Sequence, residues 1–126
     1  MNILLMIGSF VVILALIAYS VGIITEQRTH KIGLRVIRFV TIGIILDIVA
    51  TTFMIVGSSN SPFTLHGLLG YSALAVMLVD VILIWRLKLA KGIDAEVPKS
   101  LHLYSRYAYA WWVIAFITGG LMVIVA

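Results

Sequence analysis

Three histidines and two aspartates are the residues of this chain best equipped for chemistry, because all five sit in or beside long apolar stretches. Asp47 and Asp80 fall inside such stretches, where an aspartate near mid-bilayer costs about 2.5–3.5 kcal/mol on insertion scales. A helix that served packing alone would avoid that cost. Away from cations, either carboxyl is a candidate for the neutral acid form, which donates a hydrogen bond. Proton relay or contact with a quinone therefore stands beside simple bonding between helices as their role. Asp80 is level by residue count with Tyr19, Ser20, Tyr109 and Trp112, any of which can donate to it. Asp47 lies deeper, with Thr51 one turn further along its own helix.

His66 sits in Thr64-Leu65-His66-Gly67-Leu68-Leu69-Gly70-Tyr71. Gly67 and Gly70 clear side chains from a helix face on which a flat macrocycle such as haem b can lie. Met54, Gly119 and Met122 belong to the same depth, and histidine with methionine is both an axial pair for haem iron and a donor set for copper. A histidine hydrogen-bonded to the neighbouring turn explains His66 as well. His30 and His102 form a second constellation. Each precedes a helix, the two helices run in the same direction, and two imidazoles on one side of a bundle can grip one haem or metal ion. Arg35 and Arg106 are close enough in sequence to neutralise haem propionates. At ~1.5 Å per residue, His30 lies about 12 Å and His102 about 6–8 Å beyond the apolar core. His66 belongs to the opposite end and does not share a mononuclear centre with His102.

The elements that must hold these residues are read from charge and hydropathy. All nine Lys and Arg fall between Arg28 and Arg38 or between Arg86 and Arg106. Between them lie four apolar stretches, each close to the ~20 residues that cross a bilayer core. The expectation is an all-α, integral membrane, four-helix up-down bundle with helices at about 3–25, 32–57, 62–88 and 102–126, forming a single domain over 1–126. Because Lys and Arg are retained on the cytoplasmic side, the predicted topology is N-out/C-out in the cell membrane. The loop from Lys88 to Ser100, with Gly92 and Pro98, is expected to be the mobile piece. Each helix carries a stripe of small or polar residues at spacings of three and four. They are Gly8, Val12, Ala15, Tyr19 and Gly22; Gly43, Asp47, Ala50 and Met54; His66, Gly70, Ala73, Met77 and Asp80; and His102, Ser105, Trp112, Ala115, Gly119 and Met122. In lipid such stripes turn toward the bundle axis.

Composition narrows the function classes. A hydrophobic share of 63% and a mean hydropathy of +1.18 leave no surface for a soluble binding module. The net charge of +4 belongs to segments that flank membrane helices, where lipid headgroups account for it without nucleic acid. With no cysteine there is no disulfide, thiolate metal site or iron–sulfur cluster. Neither HExxH nor a phosphate-binding Gly-rich loop occurs. No strained nucleophile turn accompanies His102 and Ser105. The first apolar stretch lacks the positive leader of a cleavable signal peptide and is expected to stay in the protein.

The run His102-x3-Arg106-x4-Trp111-Trp112-x5-Thr118-Gly119-Gly120, preceded by the helix that holds His66, resembles a family of small four-helix membrane proteins associated with haem–copper oxidase assembly. The chain also resembles the HsmA-type short prokaryotic four-helix membrane proteins. Its His-Gly-x2-Gly run is similar to histidine-bearing helices of transmembrane b-type cytochromes. The resemblance covers roughly residues 30–126 and implies a histidine-ligated haem or metal at His66, His102 and His30. Two expectations follow. The first is a haem b or copper protein for electron transfer or haem handling, a redox carrier or assembly factor more than a catalyst, with a quinone or respiratory complex as partner. The second is a non-enzymatic scaffold or transporter-like accessory subunit, working as a homo-oligomer or inside a larger assembly, that uses Asp47 and Asp80.

Overall fold

The computed structural model describes residues 3–57 and 65–125, with side chains outside that description at 4, 5, 54, 57, 65–68 and 119–125. It is all-helical apart from one short strand pair. The order is α1 (Ile3–Thr29), β1 (Lys31–Ile32), α2 (Leu34–Gly57), α3 (Leu65–Lys91), β2 (Ala95–Glu96) and α4 (Lys99–Val125). α1 packs on α2, α3 on α4, α2 on α3 and α1 on α4.

The helices differ from the expected bounds at the charged end. α1 runs on to Thr29 through the polar Thr25-Glu26-Gln27, and α4 starts at Lys99 rather than at residue 102. A polar sequence there ends the apolar run but not the helix, because Glu, Gln and Arg are good helix formers. α1 ends where His30 turns to φ +58°, its N–H bonded to the Glu26 carbonyl at 2.7 Å. α3 ends the same way at Gly92, φ +89°, with its N–H on the Lys88 carbonyl at 2.7 Å. Glycine adopts this left-handed turn freely, whereas a side chain such as His30's costs about 1–2 kcal/mol.

The loop expected to be mobile is instead tied down. Ile32 pairs with Ala95 and Lys31 with Glu96 in antiparallel register. The Val97 N–H donates to the His30 carbonyl at 2.8 Å, and the Asp94 N–H to the Ile32 carbonyl at 2.7 Å. Ile32, Ala95 and Val97 are buried beneath it. The molecule is thus two helical hairpins, α1–α2 and α3–α4, clasped at their charged loops by one two-stranded clip.

Where described, the expected stripes are the buried ones apart from Val12 and Gly70, which are half-buried; Met54, His66, Gly119 and Met122 lie outside the described side chains. Among the described residues, Ala15, Tyr19, Asp47, Ala50, Ala73, Met77, Asp80, His102, Ser105, Trp112 and Ala115 are all buried. Close approach explains two glycines. A Cβ on Gly43 would lie 2.5 Å from the Tyr19 ring, and one on Gly22 would lie 2.8 Å from Val40 Cγ1. The opposite faces expose Phe10, Ile13, Ile17 and Ile24, then Ile42, Ile45 and Ile48, then Leu78, Val79 and Ile82, and lastly Ile114 and Ile117. Helices apolar on all sides are suited to a dry core or to lipid. Two of them, Met6–Thr29 and Leu34–Phe53, are long and apolar enough to cross a membrane, with only 33% and 39% of the apolar window buried in the chain.

Candidate functional site

Three carboxylates are buried inside the bundle: Glu26 on α1, Asp80 on α3 and Asp47 on α2. Each takes a hydrogen bond from α4. His102 Nδ1 lies 2.7 Å from Glu26 Oε2. Ser105 Oγ donates to Asp80 Oδ1. Trp112 Nε1 donates to Asp47 Oδ2 at 2.8 Å, and Tyr19 Oη donates to the same oxygen at 3.1 Å. His102, Ser105 and Trp112 share the buried face of α4 because three and seven residues are near-whole numbers of turns. From the first to the last, the helix rises about 15 Å at ~1.5 Å per residue.

The expected donors are therefore redistributed. Tyr19 and Trp112 serve Asp47 rather than Asp80, and Ser20 and Tyr109 bond each other at 2.6 Å. Tyr19 reaches Asp47 because Gly43, one turn before it on α2, leaves room for the ring, which meets Trp112 edge-on at 5.0 Å. Asp80 Oδ2 is the one buried side-chain polar atom among the described residues with no hydrogen-bond partner.

At the charged end the two histidines come together. Their rings stack, with centroids 4.2 Å apart and planes 22° from parallel; His30 is exposed and covers His102, which is buried. A carboxylate only accepts, so His102 donates from Nδ1 to Glu26. Its Nε2 then faces Arg106 Nη2 at 3.4 Å. Gln27 closes the cluster: its amide donates to Glu26 Oε1 and to the His102 carbonyl at 3.0 Å each, and its carbonyl accepts from Arg106 Nε at 2.9 Å. Glu26 and Gln27 were missed as site residues. No local spacing signals them: Glu26 bonds His102 on α4, and His30 lies past the end of α1.

Haem and copper can be tested against these rings. Imidazole binds a metal through an in-plane nitrogen lone pair, about 2 Å from the ion. His30 and His102 instead present their faces to one another, and the two nitrogens of His102 are directed at Glu26 and Arg106. As arranged, this pair does not fit an axial set, and Arg106 is turned to Gln27 and His102 rather than held for a propionate. Arg35 is exposed at the start of α2. Gly70 has open space beside it. His66, Gly67, Met54 and Gly119 lie outside the described side chains. No group of three or more His, Asp or Glu suited to a metal occurs among the described residues.

Comparisons with protein-family models, with curated proteins and with solved structures find no match to this chain, which leaves its own geometry to carry the functional conclusion.

Proposed function

We propose that this chain is a multi-pass protein of the cell membrane, an N-out/C-out up-down bundle, and that it works as a transporter-like subunit whose buried carboxylates carry a cation along the bundle axis. One observation carries this reading: α4 offers His102, Ser105 and Trp112 to Glu26, Asp80 and Asp47, one acid from each of the other three helices. The acids begin at the cationic rim, and the rise of about 15 Å from His102 to Trp112 takes them roughly 7–9 Å, about a quarter of the way, into a ~30 Å hydrocarbon core. Glue between helices needs no such acids. Neutral bonds already do that work, as between Ser20 and Tyr109 at 2.6 Å, Trp85 Nε1 and Thr41 Oγ1 at 2.9 Å, and Tyr104 Oη and the Val76 carbonyl at 2.9 Å. Ionisable groups within a membrane bundle are costly and mark ion or proton pathways.

The test is flux in proteoliposomes made with the intact chain. Asp47→Asn and Asp80→Asn are expected to abolish cation movement while His30→Ala leaves it in place. If both aspartate variants fold and conduct like the parent, or act only by dissociating an assembly, the acids are structural and the reading fails. Orientation is checked separately. The chain has no cysteine, so single cysteines at Lys31 and Lys91 should react with an impermeant maleimide only from the cytoplasmic side.

A further inference from the structure

We infer that the cation is the proton and that Asp80 Oδ2 is its seat. This rests on the transporter-like reading and follows from the hydrogen-bonding character of the groups around the acids. Glu26 receives His102 Nδ1–H and the Gln27 amide, Asp80 receives the Ser105 hydroxyl, and Asp47 receives the Tyr19 hydroxyl and the Trp112 indole. An indole N–H and an amide NH2 can only donate. A metal cation requires the reverse, a shell of oxygen lone pairs, six to eight for calcium and about six for magnesium. At Glu26 and Asp47, hydrogens aimed at the carboxylate oxygens hold the positions such an ion would occupy and repel it, and at Asp80 a single free oxygen falls far short of that shell. A proton needs one lone pair.

Asp80 supplies that lone pair. Ser105 engages Oδ1, and Oδ2 has no partner among the described residues although the residue is fully buried. An ionised oxygen left in this state is costly. Binding a proton forms one O–H bond at Oδ2, breaks one O–H bond of a hydronium ion or protonated buffer at the aqueous end, and takes the carboxyl from charge −1 to 0. Release reverses both changes, and no electrons move. The titratable groups facing Asp80 are Glu26 and Tyr19 from α1 and Tyr104 from α4. On α2, Asp47 is held by Tyr19 and Trp112. Among the described residues the one contact between a basic side chain and a carboxylate at ion-pair distance is that of His102 with Glu26, so no cation is paired with Asp80.

The intact chain in proteoliposomes is treated with dicyclohexylcarbodiimide, an apolar reagent that modifies protonated carboxyls, and the label is mapped by peptide mass. The expected result is label at Asp80 that declines as pH is raised and is the same in sodium, potassium or choline chloride. Asp80→Asn should lose it, and Asp80→Glu should keep it. Protection by sodium or potassium would overturn the proton assignment while leaving cation transport standing. Absence of label at Asp80 at every pH, in protein whose helicity by circular dichroism is intact, would overturn it outright. Label with the expected pH profile but no proton uptake, read by an entrapped pH dye, would uphold the seat and sink the transport reading.

Discussion

Replacing Trp112 by phenylalanine isolates one bond of the column. The substitution removes the indole N–H that lies 2.8 Å from Asp47 Oδ2. It keeps an aromatic ring beside Tyr19 and Phe116, whose centroids lie 5.0 and 5.8 Å from that of Trp112. A hydrogen bond to a charged group contributes about 1.5–3 kcal/mol net, whereas side-chain bonds between membrane helices average about 0.6 with a maximum near 1.7. Tyr19 still donates to the same oxygen, so Asp47 is not stranded, and the expected loss is about 1–2 kcal/mol. The control is the same change beside Asp47→Leu. There the indole has no acceptor, and removing it should be neutral or favourable, giving a coupling of about 1–2 kcal/mol. Unfolding in detergent micelles by titrated dodecyl sulfate, followed by circular dichroism, measures all four proteins. An equal cost of Trp112→Phe in both backgrounds would refute the bond.

Other substitutions probe how that bond and the clip are held. Gly43→Ala should destabilise by about 1–3 kcal/mol through overpacking, since its Cβ would sit 2.5 Å from the Tyr19 ring; Tyr19→Leu in the same chain should recover part of the loss in the same titration. Gly92→Ala should cost about 1–2 kcal/mol, because the position has φ +89° and nothing within 4 Å to clash with a methyl; a thermal melt unchanged from the parent would contradict this. Nitrogen-15 spectra of labelled His102 should reveal a proton on Nδ1 and none on Nε2, and Glu26→Leu should abolish that preference.

Much of the architecture was legible because period and charge are local signals. Stripes at spacings of three and four marked the faces that became buried, and Tyr19, Asp47, Met77, Asp80, Ser105 and Trp112 all lie on them. What the sequence concealed was pairing across helices. Residue counting set Asp80 level with Trp112, yet Ser105 is its partner, because small differences in helix stagger decide which donor meets which acid. Glu26 escaped notice because it belongs to a polar stretch that reads as a solvated link, while α1 in fact continues through it and buries it against His102. The clip was invisible for a different reason: two residues per strand carry no periodicity. Position at a helix start brings His30 and His102 to one end of the bundle but does not fix ring orientation, and the two rings stack instead of converging on a point.

Infrared difference spectroscopy of the chain in lipid nanodiscs reads the proton on Asp80 itself, because the carbonyl stretch of a protonated carboxyl is separate from the bands of an ionised one. A carboxylic-acid band from a water-shielded site should appear and disappear with pH and be absent from Asp80→Asn. A spectrum with no such band at any pH, or with a band that persists unchanged in Asp80→Asn, would contradict the assignment of the proton to Asp80.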